Sequence, residues 1–175
     1  MKLLILPKLR QTYNYDCGAK ATESVLTYYG LEVREDEIMK LESTTKNGTK
    51  IKKIKEVVRR YGLKIKSGRM SVQDLKEYIN KKIPVIIVLQ AWASKENIDY
   101  RKDWVDGHYV VAVGYTKDKI IFEDPSAFNY TYLTYNELAA RWHDIDIDGK
   151  KYFNFGMAIL GKKPKFKEHK LVHMD

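Results

Sequence analysis

Apolar residues up to about position 80 recur mainly every three or four positions, whereas beyond it they come in runs or alternate with polar ones. The first spacing is that of a helix with one buried face and the second that of a strand, so the chain divides into a helical part followed by a sheet-forming part. A short extended segment opens the chain at residues 2–6. Residues 12–16 read as a loop, and Asp16 is placed to cap a helix from Cys17 to Tyr29, which Gly30 terminates. A second helix is expected over 35–42. Asn47-Gly48 then marks a turn, and a third helix over 50–61 is closed by Gly62. Residues 63–66 suit a short strand. Ser71 and Asp74 form a capping box at the head of a helix that presents Val72, Leu75 and Ile79 on one face to about Asn80.

Pro84-Val85-Ile86-Ile87-Val88-Leu89 is a continuous apolar run of strand length, the pattern of a central strand covered on both sides. A long loop over 91–107, with Trp92 and Trp104 in it, precedes a hairpin of strands 108–115 and 119–123. Asp124-Pro125-Ser126 turns the chain. Thr134 and Glu137 make a second capping box for a helix to Trp142. Ile145 and Ile147 alternate ahead of Asp148-Gly149, which predicts a hairpin with a two-residue turn. A last strand is expected over 151–160. Helices first and strands later is the order of an α+β domain, an N-terminal helical part packed on a C-terminal antiparallel β-sheet. A single domain over 1–160 and a basic C-terminal tail over 161–175 are expected.

Composition narrows the function. The 175 residues are 44% apolar and 31% charged, an ordinary globular balance. No run of about 18 apolar residues is present, so no membrane span is expected. The opening Met1–Pro7 has four consecutive apolar residues, short of the roughly 7–15 of a secretory core, which points to a cytoplasmic protein. The net charge is +9, but its densest cluster, Lys50 to Arg60, interleaves with Ile51, Ile54, Val57 and Val58 at helical spacing. Those lysines form the wet face of an amphipathic helix, and no nucleic-acid partner is expected.

One cysteine excludes an internal disulfide and a four-thiolate zinc site. A lone thiol is either a small buried hydrophobe or a reactive group. Cys17 sits at a predicted helix N-terminus, where unpaired N–H groups favour a thiolate, and Gly18 beside it leaves room for a substrate. A cysteine nucleophile needs a base and the base an orienting group. Of the four histidines, His169 and His173 lie in the tail and His143 follows a helix end. His108 opens an apolar strand directly after Asp106-Gly107. If strands 108–115 and 119–123 pair, the chain returns Asp124 to the level of His108; Asp124 also suits a turn-initiating role. Gln11 lies six residues before Cys17, and a loop of that length can bring its amide beside the Cys17 N–H, although spacing alone does not distinguish it from a surface glutamine.

Asp144-Ile-Asp146-Ile-Asp148-Gly149 resembles the first half of a calcium loop, but Phe155 stands where a bidentate Glu is required. A zinc site from His108, Glu123 and Asp124 lacks HExxH spacing, and no phosphate-binding glycine loop occurs. No metal and no cofactor are expected.

Gln11-Thr-Tyr-Asn-Tyr-Asp16-Cys17-Gly18 resembles the Gln-x5-Cys-Gly signature of the C39 peptidases, a branch of the papain-like superfamily. Gly107-His108-Tyr-Val-Val-Ala-Val-Gly is similar to that family's histidine strand, and Asp124-Pro125 to its Asp-Pro. The resemblance covers roughly residues 8–160. It implies a papain-like fold and a cysteine peptidase with Cys17 as nucleophile, His108 as base, Asp124 orienting the imidazole and Gln11 with the Cys17 N–H holding the oxyanion. C39 domains often stand at the front of peptide-exporting transporters and cut leader peptides after a double glycine. This chain has no transmembrane or ATPase part, so a peptide or protein substrate and association with a separate transporter are the implied partners. An acyl transferase on the same triad, or a peptide-binding module without turnover, are the alternatives.

Overall fold

A computed structural model of the chain, describing residues 1–171, 173 and 174, begins with β1 (Lys2–Leu3) and four helices interrupted by one strand: α1 (Cys17–Tyr28), α2 (Glu35–Glu42), α3 (Ile51–Arg60), β2 (Lys64–Arg69) and α4 (Val72–Asn80). It continues through β3 (Val85–Gln90), β4 (Gly107–Tyr115), β5 (Lys119–Glu123), β6 (Thr131–Thr134), α5 (Tyr135–Arg141), β7 (His143–Ile145), β8 (Lys151–Phe153) and β9 (Phe155–Leu160). Seven strands form one antiparallel sheet in the order β2-β9-β3-β4-β5-β6, with β1 added against the far end of β4. The fold is α+β, as the order of periods predicts.

The run at residue 85 is the centre of the sheet. Every residue of β3 is buried, because it lies between β9 and β4 and has packing on both faces. On one face Val25, Tyr28, Ile54 and Val58 of α1 and α3 cover Ile86, Val88, Tyr109 and Val111. On the other, Leu75 of α4 with Leu138 and Trp142 at α5 cover Ile87, Val110 and Phe122. Full burial of each such aliphatic or aromatic side chain contributes about 1.5–3 kcal/mol. The basic helix behaves as its spacing predicts: Ile51, Ile54, Val57 and Val58 are buried while Lys52, Arg59 and Arg60 face solvent. Both capping boxes form, Ser71 with Asp74 and Thr134 with Glu137.

Several local expectations are corrected. Asp16 occupies the N-cap of α1, but its side chain makes no capping bond to the helix. Its Oδ2 instead accepts the N–H groups of Thr12 and Tyr13, at 3.1 and 3.0 Å, and braces the preceding loop. The opening strand pairs over Lys2–Leu3 only. β6 was not expected, although Tyr130-Thr-Tyr-Leu-Thr134 is rich in strand formers; the Asp124-Pro125 turn beside it suggests loop. The 144–149 segment does form a hairpin, but the ladder closes at Ile145↔Lys151 and leaves a loop at 146–150 rather than a two-residue turn. Asp146 is the cause: its Oδ1 accepts from the N–H of Asp148 and of Lys150, at 3.0 and 2.9 Å. The last strand is two, divided at Asn154, whose φ of 51° breaks the extended backbone. Beyond the sheet, the N–H groups of Lys165 and Phe166 both donate to the Tyr28 carbonyl at the end of α1. Positions 172 and 175 of the basic tail lie outside the described residues.

Candidate active site

Cys17 is the first residue of α1 and is 8% exposed. The helix can approach the sheet there because Gly18 has no side chain. A Cβ on Gly18 would stand 2.9 Å from Thr49 Cβ and 3.2 Å from Tyr109 Cδ2. The Tyr109 hydroxyl donates to the Thr49 carbonyl at 2.9 Å, which ties β4 to the segment before α3 and so sets the wall that Gly18 meets.

His108 is the second residue of β4 and is buried. Its Nε2 lies 2.7 Å from Asp124 Oδ1, and its other close side-chain partner is Cys17. The imidazole therefore stands between thiol and carboxylate. Burial opposes a charge on His108, but the hydrogen bonds and charges of Asp124 and Cys17 outweigh it and push the imidazole up to about 10.

Asp124 follows β5 and is held from four directions. Besides His108, Oδ1 accepts the Ser126 N–H at 2.9 Å, while Oδ2 accepts the Thr131 hydroxyl at 3.0 Å and the Trp92 indole N–H at 3.2 Å. Burial alone would raise this carboxyl; His108, Ser126 and Thr131 together hold it below its ordinary value. Trp92, Ser126 and Thr131 are partners of Asp124 that the sequence analysis does not assign. Ser126 was discoverable, since an Asp two residues before a Ser readily accepts its N–H in an Asx turn.

Gln11 comes to the same turn by another route. Its backbone N–H donates to the Pro125 carbonyl at 2.9 Å, and its Oε1 accepts the Ser126 hydroxyl at 3.2 Å. Its Nε2 donates to the Tyr13 carbonyl at 2.7 Å. The structure thus brings Cys17, His108 and Asp124 together, and anchors Gln11 at the turn that follows Asp124, with its amide engaged by its own loop.

A cavity of about 310 Å³ opens beside Cys17. It is lined by the segment 46–51, by the β7–β8 hairpin from Asp144 to Ile147, and by Trp104 and Gly107. A second cavity, about 320 Å³, lies behind Asp124 and is lined by Trp92, Tyr100, Phe122 and Leu133. His143 has a structural role: its Nε2 meets the Asp103 carbonyl at 2.7 Å and its ring packs on Trp104. The three aspartates of the calcium-like motif diverge, Asp144 to Gln90, Asp146 to its own loop and Asp148 to Lys50. Among the described residues no three His, Cys, Asp or Glu side chains converge as metal ligands, and no helix is long and apolar enough to cross a membrane.

A cysteine at the start of a helix packed on an antiparallel sheet, facing a histidine at a strand end, is the arrangement of the papain-like class. Within that class the chain belongs to the Peptidase C39 family, whose model matches residues 6–148. Solved structures carry the same fold. The peptidase domain of Streptococcus ComA, a bifunctional ABC transporter of a quorum-sensing pathway, superposes with a TM-score of 0.64 at 21% identity, over 92% of this chain and 98% of that one. A double glycine motif protease from an AMS/PCAT transporter, solved with its leader peptide, gives 0.65 at 18% identity, over 94% and 95%. A protein from Bacillus anthracis described as C39-like gives 0.70 at 14% identity, over 94% and 100%. No curated protein matches the chain.

Proposed function

We propose that the chain is a cysteine peptidase in which Cys17, His108 and Asp124 act as a triad. The observation that carries this reading is His108, buried between the Asp124 carboxylate at 2.7 Å and the Cys17 side chain. The thiolate is the reactive form of a cysteine, and a base beside the sulfur takes up its proton. Cys17 Sγ attacks the scissile carbonyl carbon, and the carbonyl oxygen takes the negative charge. The Cys17 N–H, at the head of α1 where no helical carbonyl precedes it, holds that oxygen, joined by the Gln11 amide once it leaves the Tyr13 carbonyl. His108 delivers its proton to the departing amine, the C–N bond breaks and a thioester remains. Water, losing a proton to His108, then attacks the thioester and releases the carboxylate product and the thiolate. Asp124 keeps the imidazole turned toward sulfur throughout.

The substrate is a peptide, in keeping with the leader peptide bound by the AMS/PCAT protease of the same fold. Association with a separate transporter is in keeping with the ComA peptidase domain, which belongs to an ABC transporter.

Iodoacetamide labelling of Cys17 across pH, in the parent and in His108→Ala, tests the pair. Rapid labelling at acidic to neutral pH that disappears in His108→Ala is expected. Labelling that rises only near about pH 8.5 in both proteins, as for an ordinary thiol, removes the peptidase reading. Product masses with and without an added amine then separate hydrolysis from acyl transfer.

A further inference from the structure

The cavity beside Cys17 contains a carboxylate that the triad does not use. Asp144, the middle residue of β7, lines it and is half-buried. Gln90 fixes the carboxylate in place. The Gln90 side chain is fully buried, and its Nε2 donates both to Asp144 Oδ1 at 2.8 Å and to the His143 carbonyl at 3.1 Å. Both partners are acceptors, so only one orientation of the amide serves. Gly107 makes room on the other side: a Cβ there would stand 2.6 Å from Asp144 Oδ1. The residue immediately before His108 is thus bare so that this carboxylate can lie against it.

Among the described residues no cation pairs with Asp144. The two lysines that line the same cavity are accounted for elsewhere. Lys50 reaches Asp148 at 2.8 Å, and Lys46 is exposed on the turn before Gly48. The neighbouring acid, Asp146, is spent on its own loop, with Oδ1 on two N–H groups and Oδ2 on the Tyr152 hydroxyl. Burial raises the Asp144 carboxyl to about 6, which leaves it largely ionised near neutral pH. A partly desolvated anion without a counter-charge is stabilised by a cation that arrives from outside. The cavity is open to receive one, and at about 310 Å³ it has space that a glycine would leave empty. Trp104, Val105 and Ile145 on its walls suit the aliphatic stem of a long basic side chain.

Resting on the peptidase reading, we propose that Asp144 is a specificity-determining residue, forming an acidic subsite that selects peptides with arginine or lysine close to the scissile bond. The chain's net charge of +9 disfavours cationic peptides at a distance, so the selection acts at contact.

The test digests a defined mixture of synthetic peptides with the parent and with Asp144→Asn, and reads the cut sites by mass spectrometry. The Asn variant still accepts from Gln90, so the fold is retained; a melting curve checks this. Arginine or lysine enriched within three residues of the cut in the parent, and that preference reduced roughly ten-fold in Asp144→Asn, is expected from loss of one charge-assisted bond. Where peptides are cut, no basic enrichment in the parent, or enrichment unchanged in the variant, overturns the subsite. In parallel, arginyl and glutamyl peptide chloromethyl ketones are compared as labels of Cys17. Faster labelling by the arginyl reagent that Asp144→Asn abolishes supports the subsite even if no peptide is cut, in which case only the turnover reading fails. Equal labelling by both reagents overturns the subsite alone, whereas labelling by neither overturns the peptidase reading and the subsite with it.

Discussion

His108 and Asp124 meet at 2.7 Å because β4 and β5 are out of step by one residue. Near the hairpin end Tyr115 pairs with Ile120 and Gly114 with Ile121; beyond the irregularity Ala112 pairs with Phe122 and Val111 with Glu123. Val113 is the extra residue of a β-bulge. Continuing the second register by one step puts Asp124 opposite Val110, on the face that alternation assigns to His108. Continuing the first would put it opposite Val111, on the other face, since a one-residue slip turns every side chain over.

Asp124→Ala should lower kcat by roughly 10²- to 10⁴-fold, the range expected when a general base loses its orientation. It also strips the partner from the Trp92 indole and the Thr131 hydroxyl, so stability should fall by about 1–3 kcal/mol. Steady-state kinetics and urea unfolding measure the two separately. Turnover within two-fold of the parent would remove Asp124 from the machinery.

Gln11→Ala should lower kcat by about 10²- to 10³-fold with little change in KM, because an oxyanion donor acts only in the transition state. The partners it leaves, the Tyr13 carbonyl and the Ser126 hydroxyl, lie near solvent, so the melting temperature should move little. A variant that melts earlier yet keeps its kcat would show Gln11 to be a loop brace alone.

Gly18→Ala sets helix propensity against space. Alanine favours the helix by about 1 kcal/mol, but its Cβ would meet Thr49 and Tyr109 at 2.9 and 3.2 Å, and overpacking costs about 1–3 kcal/mol. The clash wins, α1 shifts at its head, and Cys17 moves with it. The expected result is a larger loss in alkylation rate of Cys17 than in stability, read by timed labelling and by denaturation.

Stability should fall as pH rises from about 5 to about 8. Burial raises Glu42 and Glu123 from 4.5 to about 8, and among the described residues each has one carboxyl oxygen without a partner. Because the folded state holds these protons more tightly, their contribution is complete below the unfolded value and is lost as pH rises through about 8. His108, raised to about 10, acts in the same direction at higher pH, from about 6.5 upward. Glu42→Gln keeps an acceptor for the Thr22 hydroxyl and removes one proton. Its stability between about pH 5 and pH 8 should decline less steeply, by roughly 1.4 kcal/mol per pH unit. Urea unfolding at several pH values reads the slope, and identical slopes would reject the buried-acid account.

Much of this was legible in one dimension because it is local. The face of α3 follows from Ile51, Ile54, Val57 and Val58, and the capping boxes at Ser71 and Thr134 from residues three positions apart. The centrality of β3 follows from an apolar run with no polar alternation. What failed also had a local rival. Asp16 has the chemistry of a helix cap, but the N–H groups of Thr12 and Tyr13 were closer competitors. β6 was hidden by the turn at Asp124-Pro125, since edge strands depend on the neighbour they pair with more than on their own composition.

The amino-acid order alone determined the helical and sheet halves, the head of α1 at Cys17, and a hairpin that returns Asp124 toward His108. Tertiary structure decided the rest. The bulge at Val113 chose the face on which Asp124 emerges, and Trp92 and Thr131 came from distant segments to hold its second oxygen. Gln90 and the bare backbone of Gly107 placed Asp144 in the cleft. Periodicity shows which side of its own element a residue faces, whereas register shifts, close approaches and buried hydrogen-bond partners depend on segments that meet only when the sheet is assembled.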